Sequence, residues 1–89
     1  MQKIIFDFAR LPNMEAFYLS FAKQFDLPNY FGNNLDALWD VLTGEIALPV
    51  QVVFKHFPQY SPVFQPLIVL MQETQIELGD ALFQFICEE

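Results

Sequence analysis

The residues in this sequence that could do chemistry are carboxylates paired at helical spacing. Asp36 and Asp40 are four residues apart, as are Glu73 and Glu77, so each pair would lie one turn apart on a helix. The first pair could serve acid–base catalysis, hold a hard cation, or complement the positive charge of a partner. A cleft that uses two catalytic carboxylates is hard to build in 89 residues. Two aspartates exposed on one helix are weak support for a cation site.

Other catalytic and ligand-binding chemistry has few candidates. His56 is the single histidine and Cys87 the single cysteine, and neither has a partner at a spacing typical of a nucleophile–base pair or a metal site. The glycines Gly32, Gly44 and Gly79 are too far apart to form a phosphate-binding loop. The sequence therefore predicts a protein with no catalytic residues, no metal and no cofactor.

The charge of the chain is strongly acidic. Eleven acidic residues against four basic ones give a formal net charge of −7 at pH 7. Nucleic acids and anionic membranes would be repelled, so we predict neither as a partner. Bases are absent from 24–54, where four acids occur, and from the chain after Lys55, where five occur. These acids would attract a cationic partner if they share a face, and otherwise they are ordinary solvated surface.

Three features favour a cytoplasmic location. No apolar stretch approaches the ~18–20 uncharged residues of a membrane span. The amino terminus meets Asp7 after three apolar residues and has no small-residue cleavage site, unlike a signal peptide. Cys87 has no internal disulfide partner, which suits a reducing compartment.

Apolar residues recur at helical spacing in three segments. Asn13 and Asn34 are predicted to cap the first two helices, and Pro66 suits the first turn of the third, which runs to about residue 78. Gly44 is predicted to end the second helix in a left-handed conformation. That end would place Asp40 in the last turn, where a carboxylate opposes the helix dipole, and this placement indicates a role toward a partner.

Three short apolar segments are predicted to be strands: 3–8, 48–54 and 81–87. The second is expected to be central or parallel because it is nearly continuously apolar. Because helices separate the strands, we expect a parallel sheet with right-handed crossovers. The predicted fold class is α/β, a three-stranded parallel sheet flanked by helices, in a single domain over 1–89.

One segment carries a specific resemblance. Residues 27–44 read LPNYFGNNLDALWDVLTG, with Leu-Pro, two aromatics, a Gly, then Asn-Leu-Asp-Ala-Leu-Trp-Asp and a final Leu-Thr-Gly. This pattern is similar to the hallmark of the barstar family, intracellular inhibitors of barnase-type ribonucleases. Chain length, the order of strands and helices, and the Glu73/Glu77 pair also fit. The resemblance therefore covers essentially the whole chain and implies a barstar-like ribonuclease inhibitor.

The resemblance also implies which residues contact the ribonuclease. Asp40 would stand in for an RNA phosphate among the Arg and Lys side chains of the enzyme, and Tyr30 would pack against its catalytic region. Asn34 and Asp36 would make polar contacts beside them, and Thr43 and Gly44 would contact the enzyme at the end of the helix. Glu73 and Glu77 would make acidic contacts from the last helix. Phe31 would be a second loop aromatic, without the tyrosine hydroxyl that is frequent in the family.

The sequence indicates the identity of the partner less specifically than it indicates the fold. Glu45 and Ala47 depart from the family pattern, so the partner is expected to be a basic, barnase-like ribonuclease or a related toxin. One alternative is an immunity protein against a different delivered toxin, and another is a carboxylate-based cation-binding or enzymatic domain. We expect the free protein to be monomeric.

Overall fold

A computed structural model describes residues 1–28 and 34–89 of the chain. Helices separate the three strands, as predicted. The elements are β1 (Gln2–Asp7), a 3₁₀ turn (Phe8–Arg10), α1 (Met14–Gln24), α2 (Leu35–Gly44), β2 (Val50–Lys55), α3 (Gln65–Leu78) and β3 (Phe83–Cys87). No helix within the described ranges is long and apolar enough to cross a membrane.

The three strands form one parallel sheet in the order β1-β2-β3. Ile4 of β1 lies opposite Val52 of β2, which lies opposite Phe85 of β3. The predicted α/β fold with a three-stranded parallel sheet is confirmed. The central position of β2 is also the one expected from its apolar sequence.

The hydrophobic core lies between one face of the sheet and the helices. Phe17 of α1 contacts Phe6 and Phe54 of the sheet, with ring centroids 5.0 and 5.8 Å apart. Leu42 of α2 and Leu67 of α3 are fully buried in the same cluster. Because all three helices bury their apolar sides in this core, their polar sides are left at the surface.

The opposite face of the sheet carries a row of three aliphatic residues. Ile5, Val53 and Ile86 occupy matching positions on neighbouring strands. Val53 in the middle is 2% exposed, whereas Ile5 and Ile86 at the edges are 39% and 40% exposed. β2 therefore buries an apolar residue on this face, between Gln51 and Lys55, as well as Val50, Val52 and Phe54 on the core face, which is why its sequence is a nearly continuous apolar run.

Asparagine side chains begin the first two helices, as predicted. Oδ1 of Asn13 accepts a hydrogen bond from the backbone N–H of Ala16 at 2.8 Å, and Oδ1 of Asn34 accepts one from Ala37 at the same distance. α3 begins without a side-chain cap and has Pro66 in its first turn. A cap of this kind contributes about 1 kcal/mol, so Asn34 helps to fix the start of the helix that bears the aspartates.

The predicted left-handed conformation of Gly44 is wrong. Gly44 is the last residue of α2, and Glu45, with a φ of −125°, is the C-cap. The backbone N–H of Glu45 donates to the carbonyl of Val41 at 2.9 Å, so the helical hydrogen bonding continues past the glycine. Within the described ranges, the only glycine with a positive φ is Gly79, which follows α3.

The strand boundaries also differ from the prediction. β1 ends before Phe8 because the Asp7 carboxylate accepts a hydrogen bond from the backbone N–H of Ala9 at 3.0 Å and so begins the 3₁₀ turn. β2 begins at Val50 because Pro49 has no N–H to donate to a neighbouring strand. β3 begins later than predicted, after a turn that follows α3.

Candidate partner-binding surface

The carboxylates of α2 face the solvent. Asp36 and Asp40 are exposed, whereas Leu38, Val41 and Leu42 on the other side of the helix are buried. The helix therefore separates its functions by face, with packing on one side and negative charge on the other. The predicted one-turn spacing of the two aspartates is confirmed.

No cation neutralises these aspartates from within the described structure. Across 1–28 and 34–89, the only ion pairs are those of Asp7 with Arg10 and with His56. Asp36 and Asp40 instead repel each other by about 0.2–0.5 kcal/mol, as like charges one helical turn apart do. Their charge is directed outward, where it can attract a cationic group of another molecule.

Asp40 does not lie in the last turn of α2, and this corrects the prediction from the sequence. With Glu45 as the C-cap, Gly44 is the last helical residue and Asp40 is the fifth from the end. The field of the helix dipole falls off within the last turn, so Asp40 opposes it only weakly. What distinguishes Asp40 is therefore its exposure and its lack of an ion pair within the described residues, not its position relative to the helix dipole.

The carboxyl end of α2 brings Thr43 and Gly44 next to Asp40. Oγ1 of Thr43 donates to the carbonyl of Trp39 at 2.8 Å, which orients the hydroxyl and leaves its oxygen able to accept a hydrogen bond. Gly44 is exposed, and a Cβ built there would meet no atom within 4 Å. Neither backbone conformation nor packing in the described structure therefore requires a glycine at position 44.

The second acidic pair lies on α3, which packs against α2. Glu73 and Glu77 are both exposed. A groove of about 600 Å³ runs between the start of α2 and the start of α3, and Glu73 lines it whereas Glu77 lies one turn further along α3. The lining residues of this interhelical groove are Leu35, Pro62, Gln65, Pro66, Val69, Leu70 and Glu73.

The structure places Asp36, Asp40, Thr43 and Gly44 on α2, and Glu73 and Glu77 on α3, which packs against it. Of the acidic residues, Glu73 lines the groove together with Leu35, the residue before Asp36. Tyr30 and Phe31 lie outside the described residues. The sequence analysis missed the apolar part of the groove, although Val69 gave a signal, since it falls off the inner stripe of α3 and is 52% exposed.

Another group of titratable residues lies at the carboxyl end of the sheet. Nδ1 of His56 is 2.9 Å from Oδ1 of Asp7, and the hydrogen bond with His56, followed by that from the Ala9 N–H, lowers the pKa of Asp7. Burial, followed by the charge of Glu89, raises the pKa of the Cys87 thiol and so disfavours the nucleophilic thiolate. The described ranges contain no group of three or more His, Cys, Asp or Glu side chains that could hold a metal ion.

Comparison with known proteins identifies the family. The family model described as "Barstar (barnase inhibitor)" matches residues 1–88. The chain belongs to the barstar family. A relative from Bacillus subtilis (strain 168), described as "Putative ribonuclease inhibitor YrdF", is 40% identical over 93 residues, which cover 99% of this chain and 100% of that protein.

Membership of the barstar family extends to every element of the surface described above. The match over 1–88 includes α2, α3 and the groove between them. The resemblance first noted for residues 27–44 is therefore confirmed as a family relationship, and the sheet with its helices is a barstar-like fold.

Proposed function

We propose that this protein inhibits a basic, barnase-type ribonuclease by covering the active site of the enzyme with α2 and the loop before it. The observation that carries the proposal is the exposed charge of Asp36 and Asp40 on α2, which form no ion pair within the described residues, with Glu73 exposed on the neighbouring helix α3. Family membership and the name of the YrdF relative support it.

The chemistry of RNA cleavage explains why such a surface fits. A ribonuclease binds phosphates with Arg and Lys side chains, and a carboxylate can accept the same charge-assisted hydrogen bonds. In the proposal, Asp40 takes the place of a phosphate, and Asp36, Glu73 and Glu77 surround it with further negative charge. Asp36 and Asp40 already repel each other one turn apart on α2, so a cationic partner relieves this repulsion as well as adding attraction.

Uncharged residues complete the proposed contact. Thr43 and Asn34 contribute polar groups at the two ends of α2, and Gly44 lets the enzyme approach closely because no side chain stands there. Tyr30 and Phe31 would contribute aromatic surface from the loop. We also propose that the protein acts in the cytoplasm, as a monomer and as one domain over 1–89, without catalytic residues or a cofactor of its own.

The proposal is tested by titrating the protein into RNA-cleavage assays. Barnase and the small basic ribonucleases of the native host serve as the enzymes, each at a fixed nanomolar concentration. The expected result is complete loss of cleavage by at least one of them at an equimolar amount of this protein. Undiminished cleavage by every enzyme at a large molar excess would contradict the proposal and favour one of the two alternatives, an immunity protein against a different delivered toxin or a carboxylate-based cation-binding or enzymatic domain.

A further inference from the structure

The interhelical groove is an apolar feature within an acidic surface. Five of its seven lining residues are apolar, and the polar ones are Gln65 and Glu73. Val69 on its wall is 52% exposed, although its neighbours Leu67 and Leu70 on the same helix are buried. We infer that this groove receives an apolar side chain of the bound ribonuclease, one that lies next to a basic residue of the enzyme; the inference rests on the proposed function.

The groove is large enough to admit an apolar side chain from a partner. Its volume of about 600 Å³ is within the range of about 300–1,000 Å³ that holds whole small ligands. Leu35 and Leu70 form apolar walls from α2 and α3, so an apolar group placed between them loses contact with water on two sides. Filling it would stabilise the complex by burying apolar surface that the free inhibitor leaves in water.

The charges around the groove select the occupant. Glu73 lines it and Asp36 follows Leu35, while the sequence has no Lys or Arg in 24–54 or after Lys55. A second copy of this chain would bring like charges together, and nucleic acids or anionic lipids would be repelled. An apolar side chain flanked by Arg or Lys would fit both the apolar lining of the groove and the acidic residues beside it.

The groove would act differently from the aspartates. Carboxylates that imitate phosphate suit the active site of any ribonuclease, since every such site binds phosphates. An apolar side chain next to the active site is specific to particular enzymes, so the groove would discriminate among ribonucleases. Its contribution would be to the lifetime of the complex, because apolar contacts form after the encounter that the charges steer.

The test compares two substitutions on α3. Val69→Asn removes an apolar wall of the groove, and Ile76→Asn makes a similar change at a residue that is 83% exposed and lies outside the lining. Neither changes the net charge. Association and dissociation rates are measured by stopped-flow and surface-immobilised binding against barnase, or against whichever enzyme of the panel the wild type inhibits best. Thermal melting of each free variant checks its fold, and Val69→Thr, which keeps the branched shape, supplies the test if Val69→Asn does not fold.

We expect Val69→Asn to raise the dissociation rate constant by about three- to tenfold, the effect of losing a half-buried valine contact, with an unchanged association rate. Ile76→Asn should change it by less than about twofold. If Val69→Asn dissociates like the wild type while Asp40→Asn loses inhibition, the groove is empty in the complex and only this inference is overturned. Equal effects of Val69→Asn and Ile76→Asn would overturn it as well. If the wild type inhibits no ribonuclease, the inference and the proposed function fall together.

Discussion

Glu73 on α3 and Leu35 on α2 line the same groove although they are far apart in the sequence. Leu35 is followed by Asp36, so the groove lies between the helix that carries the two aspartates and the helix that carries Glu73. The packing of α2 against α3 above a shared core is what produces the juxtaposition.

Electrostatic steering should make association fast and sensitive to salt. The acids of α2 and α3 form no ion pair within the described residues, so the encounter rate at low salt should exceed the neutral ~10⁵–10⁶ M⁻¹s⁻¹. Glu73→Gln should lower it by about two- to fourfold, the share of one charge in a total effect of 10- to 1,000-fold. Stopped-flow mixing at a series of salt concentrations measures this, with Glu15→Gln on α1 as the matched change. An association rate that does not respond to salt would contradict the prediction.

Gly44→Ala should stabilise the free protein and weaken its binding to the ribonuclease. Gly44 is helical and a Cβ there has open space, so alanine should raise the free energy of unfolding by about 0.5–1 kcal/mol. The same methyl group would obstruct the close approach proposed for the ribonuclease and so weaken inhibition. Urea denaturation of the free variant and a titration against the inhibited enzyme measure the two effects. An alanine variant that is more stable and inhibits as well as the wild type would show that Gly44 does not contact the enzyme.

The link between Asp7 and His56 predicts a pH-dependent stability. The pKa of Asp7 is lower in the folded protein than its ordinary value of 3.8, so folding favours the carboxylate. The stability gained is complete above that ordinary value and is lost as the pH falls through the lowered one. Asp7→Asn keeps an acceptor for the Ala9 N–H but removes the charge, so it should melt below the wild type at pH 6, and the gap should close by about pH 2.

The matched variant for this prediction is His56→Asn. The φ of His56 is +54°, a left-handed conformation that asparagine tolerates, so the backbone is preserved while the hydrogen bond to Asp7 is lost. It should show the same pH-dependent gap. A difference in melting temperature that stays constant between pH 6 and pH 2 would mean that the charge of Asp7 does not stabilise the fold.

Local signals in the sequence predicted much of the fold. Asn13 and Asn34 both cap helices, because a side-chain oxygen at that position satisfies a backbone N–H that no helical carbonyl can reach. The apolar sequence of β2 indicated a central strand, and the reason is now clear from Val53, which is buried on the face opposite the core. These features depend on neighbouring residues or on the pattern along one element, which is why they can be predicted.

The features that the sequence did not predict depend on contacts between elements or on the backbone conformation at the end of a helix. Glycine occurs both inside helices and beyond their ends, so the residue type of Gly44 could not decide where α2 ends. The predicted position of Asp40 relative to the helix end was wrong as a result. The groove joins residues of α2, α3 and the segment between β2 and α3. The position of Val69 off the inner stripe of α3 indicated its exposure, but the pattern along one helix could not show that Leu35 of α2 lines the same groove.

The substitution Asp40→Asn tests the central claim most directly. Asparagine keeps the size of the side chain and removes the charge, so the free energy of unfolding should be unchanged or rise by up to ~0.5 kcal/mol through relief of the repulsion from Asp36. Inhibition should weaken by about 2–5 kcal/mol, mainly through faster dissociation, because a basic group of the enzyme would be left buried without its partner. The measurement is the dissociation constant of wild type, Asp40→Asn and the control Glu15→Gln for the inhibited ribonuclease, with thermal melting of each free protein. Folded Asp40→Asn that binds at least about 30-fold more weakly than Glu15→Gln is the predicted result. Folded Asp40→Asn that binds as tightly as the wild type would contradict the account.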